Sequence, residues 1–152
     1  MSAEKGKTME KYISGNFLPY TYTISVKIDN VTKQRFFLPD DDILRGAEIV
    51  GLAIRRNNDQ KDFQDRNGDT LIPDTVMGVA FLELEANLVD VLQSIPLDYL
   101  AFDANSDSKF TAINLNGFTP SRSSVYFADV TNFTLNEVVE ITFLYNSYQP
   151  SR

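Results

Sequence analysis

The chain has 152 residues, 43% of them hydrophobic, with 11 Phe and 7 Tyr but no Trp, Cys or His, and a formal net charge of −7. That length suits one domain able to bury roughly two-thirds of its unfolded surface in a single core. The acidic balance disfavours nucleic acid, which needs clustered cations, and the missing Cys and His exclude disulfide frameworks, thiolate chemistry, Ser-His-Asp triads and ordinary zinc sites.

Residues Met1 to Asn16 mix Lys, Glu and Gly without a usable period and read as a flexible N-terminal arm, leaving 17–152 as a single domain. The arm lacks the apolar stretch of roughly 7 to 15 residues that a signal peptide needs. No run of about 20 apolar residues follows either, the longest candidate, Val76 to Leu84, being interrupted by Gly78. No membrane span is predicted, and the product is expected to be soluble or held in an assembly that forms in a reducing cytosol.

Tyr20 to Ile28 alternates cleanly, with Tyr20, Tyr22, Ile24, Val26 and Ile28 on one side and Thr21, Thr23, Ser25 and Lys27 on the other, which predicts a half-buried strand. Asp29-Asn30 suits a two-residue turn, and Val31 to Leu38 would return as the hairpin partner. Pro39 cannot donate to a ladder, so the strand stops there and Asp40, Asp41 and Asp42 fall in a loop that Gly46 ends. Glu48 to Arg56 is apolar on both faces, as expected of a central strand in a sandwich. Asn57 to Asp69 is a long polar stretch and reads as an exposed loop.

Val76 to Leu84 predicts another two-faced strand, with Gly78 as a bulge or close contact. Over Asn87 to Leu100, helical spacing of Leu88, Val91, Leu92 and Ile95 competes with Pro96 and the β-branched residues, which favours a short strand plus a turn. Phe102 to Ser108 is a loop. Lys109 to Leu115, Ser124 to Val130 and Val138 to Tyr145 complete the series, the last with Val139, Ile141, Phe143 and Tyr145 on one face. About eight strands without a long helical period predict an all-β antiparallel two-sheet sandwich, with an eight-stranded jelly roll as first choice and an immunoglobulin-like sandwich as the alternative.

Only carboxylates remain for acid-base chemistry. Asp40 to Asp42, or Glu83 with Glu85, are the candidates for a glycosidase pair, but an Asp run after a Pro is ordinarily a solvated turn, and the two glutamates are neighbours on one strand face. The chain is read as no enzyme, and no cofactor is implied. Two loops carry oxygen ligands at calcium-like spacing. Asp103, Asn105 and Asp107 match the first three positions of D-x-[DN]-x-[DN]-G, with Ser108 in place of the Gly and Asn114 in place of the final Glu. Asp65, Asn67 and Asp69 are spaced alike, with Gly68 misplaced. Tyr12, Phe17, Tyr20 and Tyr22 could form a platform for a sugar, and Arg35, Arg45, Arg55 and Arg56 could meet acidic loops of another copy.

The succession FFLPDDDILRGAEIVGLAI, a polar loop, AFLEL, IPLDYL and a closing ITFLY resembles small coat proteins of tailless icosahedral bacteriophages. It is similar in size and strand count to the single jelly-roll penton proteins that fill the vertices of double-jelly-roll capsids. The resemblance spans Thr23 to Tyr145 and implies a non-enzymatic virion protein, assembled in the host cytoplasm. Its implied partners are copies of itself, in a homopentamer, the surrounding major capsid protein and a spike protein. It supplies no active-site residues. The alternative is a non-catalytic module for glycan or Ca2+, such as a phage spike or fibre domain.

Overall fold

The computed structural model describes residues 20–56, 68–87, 89–102 and 110–146, with backbone alone for 89–93 and 102. Its strands are β1 (Tyr20–Lys27), β2 (Arg35–Phe37), β3 (Glu48–Arg55), β4 (Ala80–Ala86), β5 (Val89–Pro96), β6 (Ala101–Phe102), β7 (Thr111–Leu115), β8 (Ser124–Phe127) and β9 (Val138–Asn146). Two single helical turns, α1 (Asp74–Met77) and α2 (Leu97–Leu100), and a 3-10 turn at Pro120–Arg122 complete the set.

The strands form two sheets. In one, β1, β9 and β3 lie side by side, and β7 and the two-residue β6 share the far edge of β3, β7 along residues 49–52 and β6 at 54–55. The other has the order β2-β8-β4-β5. All pairings between strands are antiparallel except β3 with β6. Apart from β6 the pairs are nested, β1 with β9, β2 with β8, β3 with β7 and β4 with β5. A long antiparallel ribbon rolled up in this way is a jelly roll, the architecture predicted.

Alternation explains why these segments sit where they do, because a period of two puts one set of side chains on each face. Ile24 and Val26 of β1, Val139, Ile141 and Phe143 of β9, and Ile49, Leu52 and Ile54 of β3 face Phe36, Ala80, Leu82, Leu84, Val125 and Phe127 of the other sheet in one buried cluster. Burying each of the larger side chains contributes about 1.5–3 kcal/mol. Phe36, Phe127 and Phe133 form an aromatic triangle, two of its contacts edge-on, with Phe127 and Phe133 centred 4.8 Å apart. Ala53 and Val138 on the outer face of the first sheet are buried too, with Leu71 bridged to Val138, so β3 is central and two-faced as its composition predicts.

Two local expectations are corrected. Residues 31–38 are no hairpin partner of β1. An Asx turn, in which the Thr32 N–H donates to Asn30 Oδ1 at 2.9 Å, leads the chain to the opposite sheet, where only 35–37 pair, and they pair with β8. The strand predicted from Val76 begins at Ala80, because Pro73 opens the helical turn α1 and the Gly78 N–H closes it on the Asp74 carbonyl. Over 87–100 the expected strand and turn are present, as the eight-residue β5 and the helical turn α2.

Candidate functional site

The outer face of the β2-β8-β4-β5 sheet carries a hollow. Since Phe36, Val125, Phe127, Leu82 and Leu84 point inward, Arg35 and Phe37 of β2, Ser124 and Tyr126 of β8, and Phe81, Glu83 and Glu85 of β4 must point outward. Register aligns them in rows. Arg35, Tyr126, Phe81 and Pro96 lie across the sheet in one row, and Phe37, Ser124 and Glu83 in the next.

Opposite Glu83 the ladder is irregular. Leu82 pairs with Ile95 and Leu84 with Leu92, so two residues of β5, Gln93 and Ser94, face one of β4. This bulge holds Ser94 at φ +54° and brings its hydroxyl to Glu83, donating to Oε2 at 3.1 Å. Arg35 Nη1 donates to Glu83 Oε1 and, at 2.9 Å, to Ser124 Oγ, while its guanidinium sits 5.0 Å from the Tyr126 ring centre. Ser124 Oγ makes a long contact of 3.4 Å with the same Glu83 oxygen.

A second pair lies alongside, with Arg122 Nε donating to Glu85 Oε1. Glu85 is held from behind, its N–H donating to Ser123 Oγ at 3.0 Å while that hydroxyl donates to the Thr119 carbonyl at 2.9 Å. The hollow has a volume of about 440 Å³ and is lined by Arg35, Phe37, Glu83, Leu84, Ser94, Arg122 and Ser124. Its ion pairs are partly solvated and stabilise the fold by no more than about 1 kcal/mol each. Their chemical interest is what they leave over. Glu83 accepts from three donors among the described residues and keeps acceptor capacity on Oε2, and Arg35 keeps N–H groups beyond Nη1.

The other sequence candidates have different fates. In the aspartate loop, Tyr22 Oη donates to Asp41 Oδ2 at 2.6 Å and the Ile43 N–H to Asp41 Oδ1 at 2.8 Å. Arg45 reaches Asp40 at 3.0 Å and Asp42 at 2.8 Å. The hydrogen bond that Arg45 donates to Asp40, then the charges of Asp40 and Asp42, hold the Arg45 guanidinium pKa above its ordinary value. The run is a corner tied to itself. Glu83 and Glu85 do share a face, each paired with its own arginine.

Asp103, Asn105 and Asp107 lie outside the described residues, as do Asp65 and Asn67, while Asp69 lies 3.8 Å from Lys27 Nζ. Among the described residues no three acidic side chains gather as a metal site would require. Tyr12 and Phe17 are also outside them. Tyr20 stands 5.6 Å from Tyr145, whose hydroxyl pKa is pushed up by burial first and then by Tyr20 and Asp41.

The four arginines offered to another copy all have acidic partners within the chain. Arg55 lies 3.6 Å from Glu140, and Arg56 spans Asp74 at 3.4 Å and Asp98 at 3.0 Å, tying α1 to α2. Sequence reasoning singled out Glu83, Glu85 and Arg35 but overlooked Phe37, Ser94, Ser124 and Arg122. The first three of these meet only through cross-strand register, which no local pattern announces.

No family model, curated protein or solved structure matches the chain.

Proposed function

We propose that the chain is a virion structural protein, a penton subunit of an icosahedral capsid that closes into a homopentameric ring and contacts the major capsid protein around it, with a spike protein carried on the vertex. Its work is assembly, without catalysis, in the host cytoplasm and then in the virion. The observation that carries this reading is the nested jelly-roll pairing, an architecture that recurs in viral capsid domains, and the argument from it is one of fold-level analogy.

The distribution of apolar surface adds support. Val31 and Leu135 are exposed on two turns stitched together by the Asn136 N–H to the Ile28 carbonyl at 2.8 Å and the Ile28 N–H to the Glu137 carbonyl at 2.9 Å. Ile43 and Tyr99 are exposed elsewhere on the rim, Tyr99 at 77%. A closed ring needs two different patches on each subunit that fit one another, and separate apolar turns meet that need. Native mass spectrometry and electron microscopy of the full chain at high concentration test the reading. A ring of fixed subunit number is expected, disrupted when Val31 and Leu135 are both replaced by Glu; a monodisperse monomer overturns it.

A second reading, a sugar-binding spike or fibre module, is favoured by the hollow at Glu83.

A further inference from the structure

Serine is a poor residue for the left-handed region. Among the described residues the other non-glycine positions there are Asn87 and Asn136, and asparagine tolerates that conformation because its short amide bonds locally. Ser94 has no such excuse at φ +54°, and its hydroxyl, 3.1 Å from Glu83, points into the hollow. Backbone strain kept where a side chain is aimed at a concave surface is characteristic of binding sites.

The inventory of the hollow narrows its ligand. Arg35 and Arg122 cancel Glu83 and Glu85, so the floor is neutral on a chain of net charge −7 and attracts neither anion nor cation strongly. Donors and acceptors alternate within it, from Arg35 and Ser94 to Glu83. Phe37, 58% exposed, stands at its edge. Sugar hydroxyls both donate and accept, and the C–H face of a sugar ring packs on an aromatic side chain. An extended peptide, by contrast, adds to the edge of a sheet or seats side chains in apolar pockets, and this hollow lies on the outer face of the sheet with charged and hydroxyl side chains in its lining.

We propose that this hollow binds a neutral, hydroxyl-rich glycan, one ring lying against Phe37 with its hydroxyls bonded to Glu83, Arg35 and Ser94. The site stands independently of the capsid reading, since ring formation and sugar binding are separate measurements.

The test is a titration of the full, isotope-labelled chain with maltotriose, cellotriose, mannotriose and chitotriose, followed by amide chemical shifts. At least one trisaccharide is expected to shift amides of β2, β4, β5 and β8 around the hollow. Phe37→Ala and Ser94→Gly are each expected to weaken that binding about tenfold or more, with unchanged spectra elsewhere showing that both variants fold. The proposal is overturned if no trisaccharide moves these amides at millimolar concentration, if the shifts map elsewhere, or if both variants bind as the parent does. Equal binding of a trigalacturonate probe would overturn the preference for a neutral ligand. Shifts of the same amides on simple dilution would make the face a contact between copies and overturn it as well.

Discussion

Gly46 and Ser94 both hold a positive φ, for opposite reasons. At the aspartate corner Gly46 sits at φ +78° with nothing within 4 Å of where a Cβ would lie, and the chain merely turns. In β5 the same sign of φ is imposed on a serine whose hydroxyl bonds Glu83. The carboxylates follow the same division. Asp40, Asp41 and Asp42 pair with Arg45, Tyr22 and the Ile43 N–H at a solvated corner, whereas Glu83 presents its acceptors over a hollow. A run of acids is therefore a poor guide to a site; residual hydrogen-bonding capacity in a concave place is a better one.

The largest stability effect tests the glycine side of this contrast. Gly117, at φ +73°, would place a Cβ 2.0 Å from Asn87 Oδ1, so Gly117→Ala adds to backbone strain the loss of the Asn87 side-chain bond to the Asn116 carbonyl. Urea denaturation should show a loss of about 2–3 kcal/mol for Gly117→Ala and about 1 kcal/mol for Gly46→Ala, where strain acts alone. Equal losses would break the distinction between a crowded and an open turn.

A smaller effect sharpens the serine side. Ser94→Ala keeps the strain and loses the hydroxyl, while Ser94→Gly loses the hydroxyl and relieves the strain. The Gly variant should be more stable than the Ala variant by roughly 1 kcal/mol and no less stable than the parent. If thermal melts rank Ala above Gly, the backbone at Ser94 is not under strain.

The smallest effect concerns acids away from both regions. Burial raises the Glu137 carboxyl pKa, and its Oε1 has no partner among the described residues. A folded-state pKa above the unfolded one means that the favourable contribution is full below the ordinary carboxylate range and is lost as pH rises through the raised value. Glu137→Gln should therefore melt higher than the parent near neutral pH, with the gap closing on acidification. Asp129 runs the other way, its pKa lowered by the Thr131 hydroxyl first and then the Thr131 N–H, so that its contribution fades as pH falls through the lowered value.

Much of the local structure was legible in residues. The inward set Ile24 and Val26 and the closing set Val139, Ile141 and Phe143 lie on the faces their alternation predicts, and β3 is buried on both sides as its composition requires. Val76 and Met77, the end of the helical turn, read as the start of a strand because a four-residue turn is too short to show a period and both are apolar and buried. At the hollow, the outward glutamates were visible in the alternation of β4, but the serine facing them was not. A bulge depends on the partner strand, and β5 carries no glycine to mark it.

Residue types and nearest neighbours sufficed for most of the strands, for which face of each is apolar and for which chemistries are closed to a chain without Cys or His. Which strand pairs with which came from long-range packing. Asp29-Asn30 would serve a hairpin or a crossover equally well, and every strand edge offers the same N–H and C=O groups. Packing chose the crossover, setting Ile24 opposite Ile141 and sending Phe36 to the other sheet, where it completes the aromatic triangle with Phe127 and Phe133. The same long-range register brought Arg35, Ser124, Glu83 and Ser94 together, for apolar burial selects the pairing of strands and their outward side chains follow.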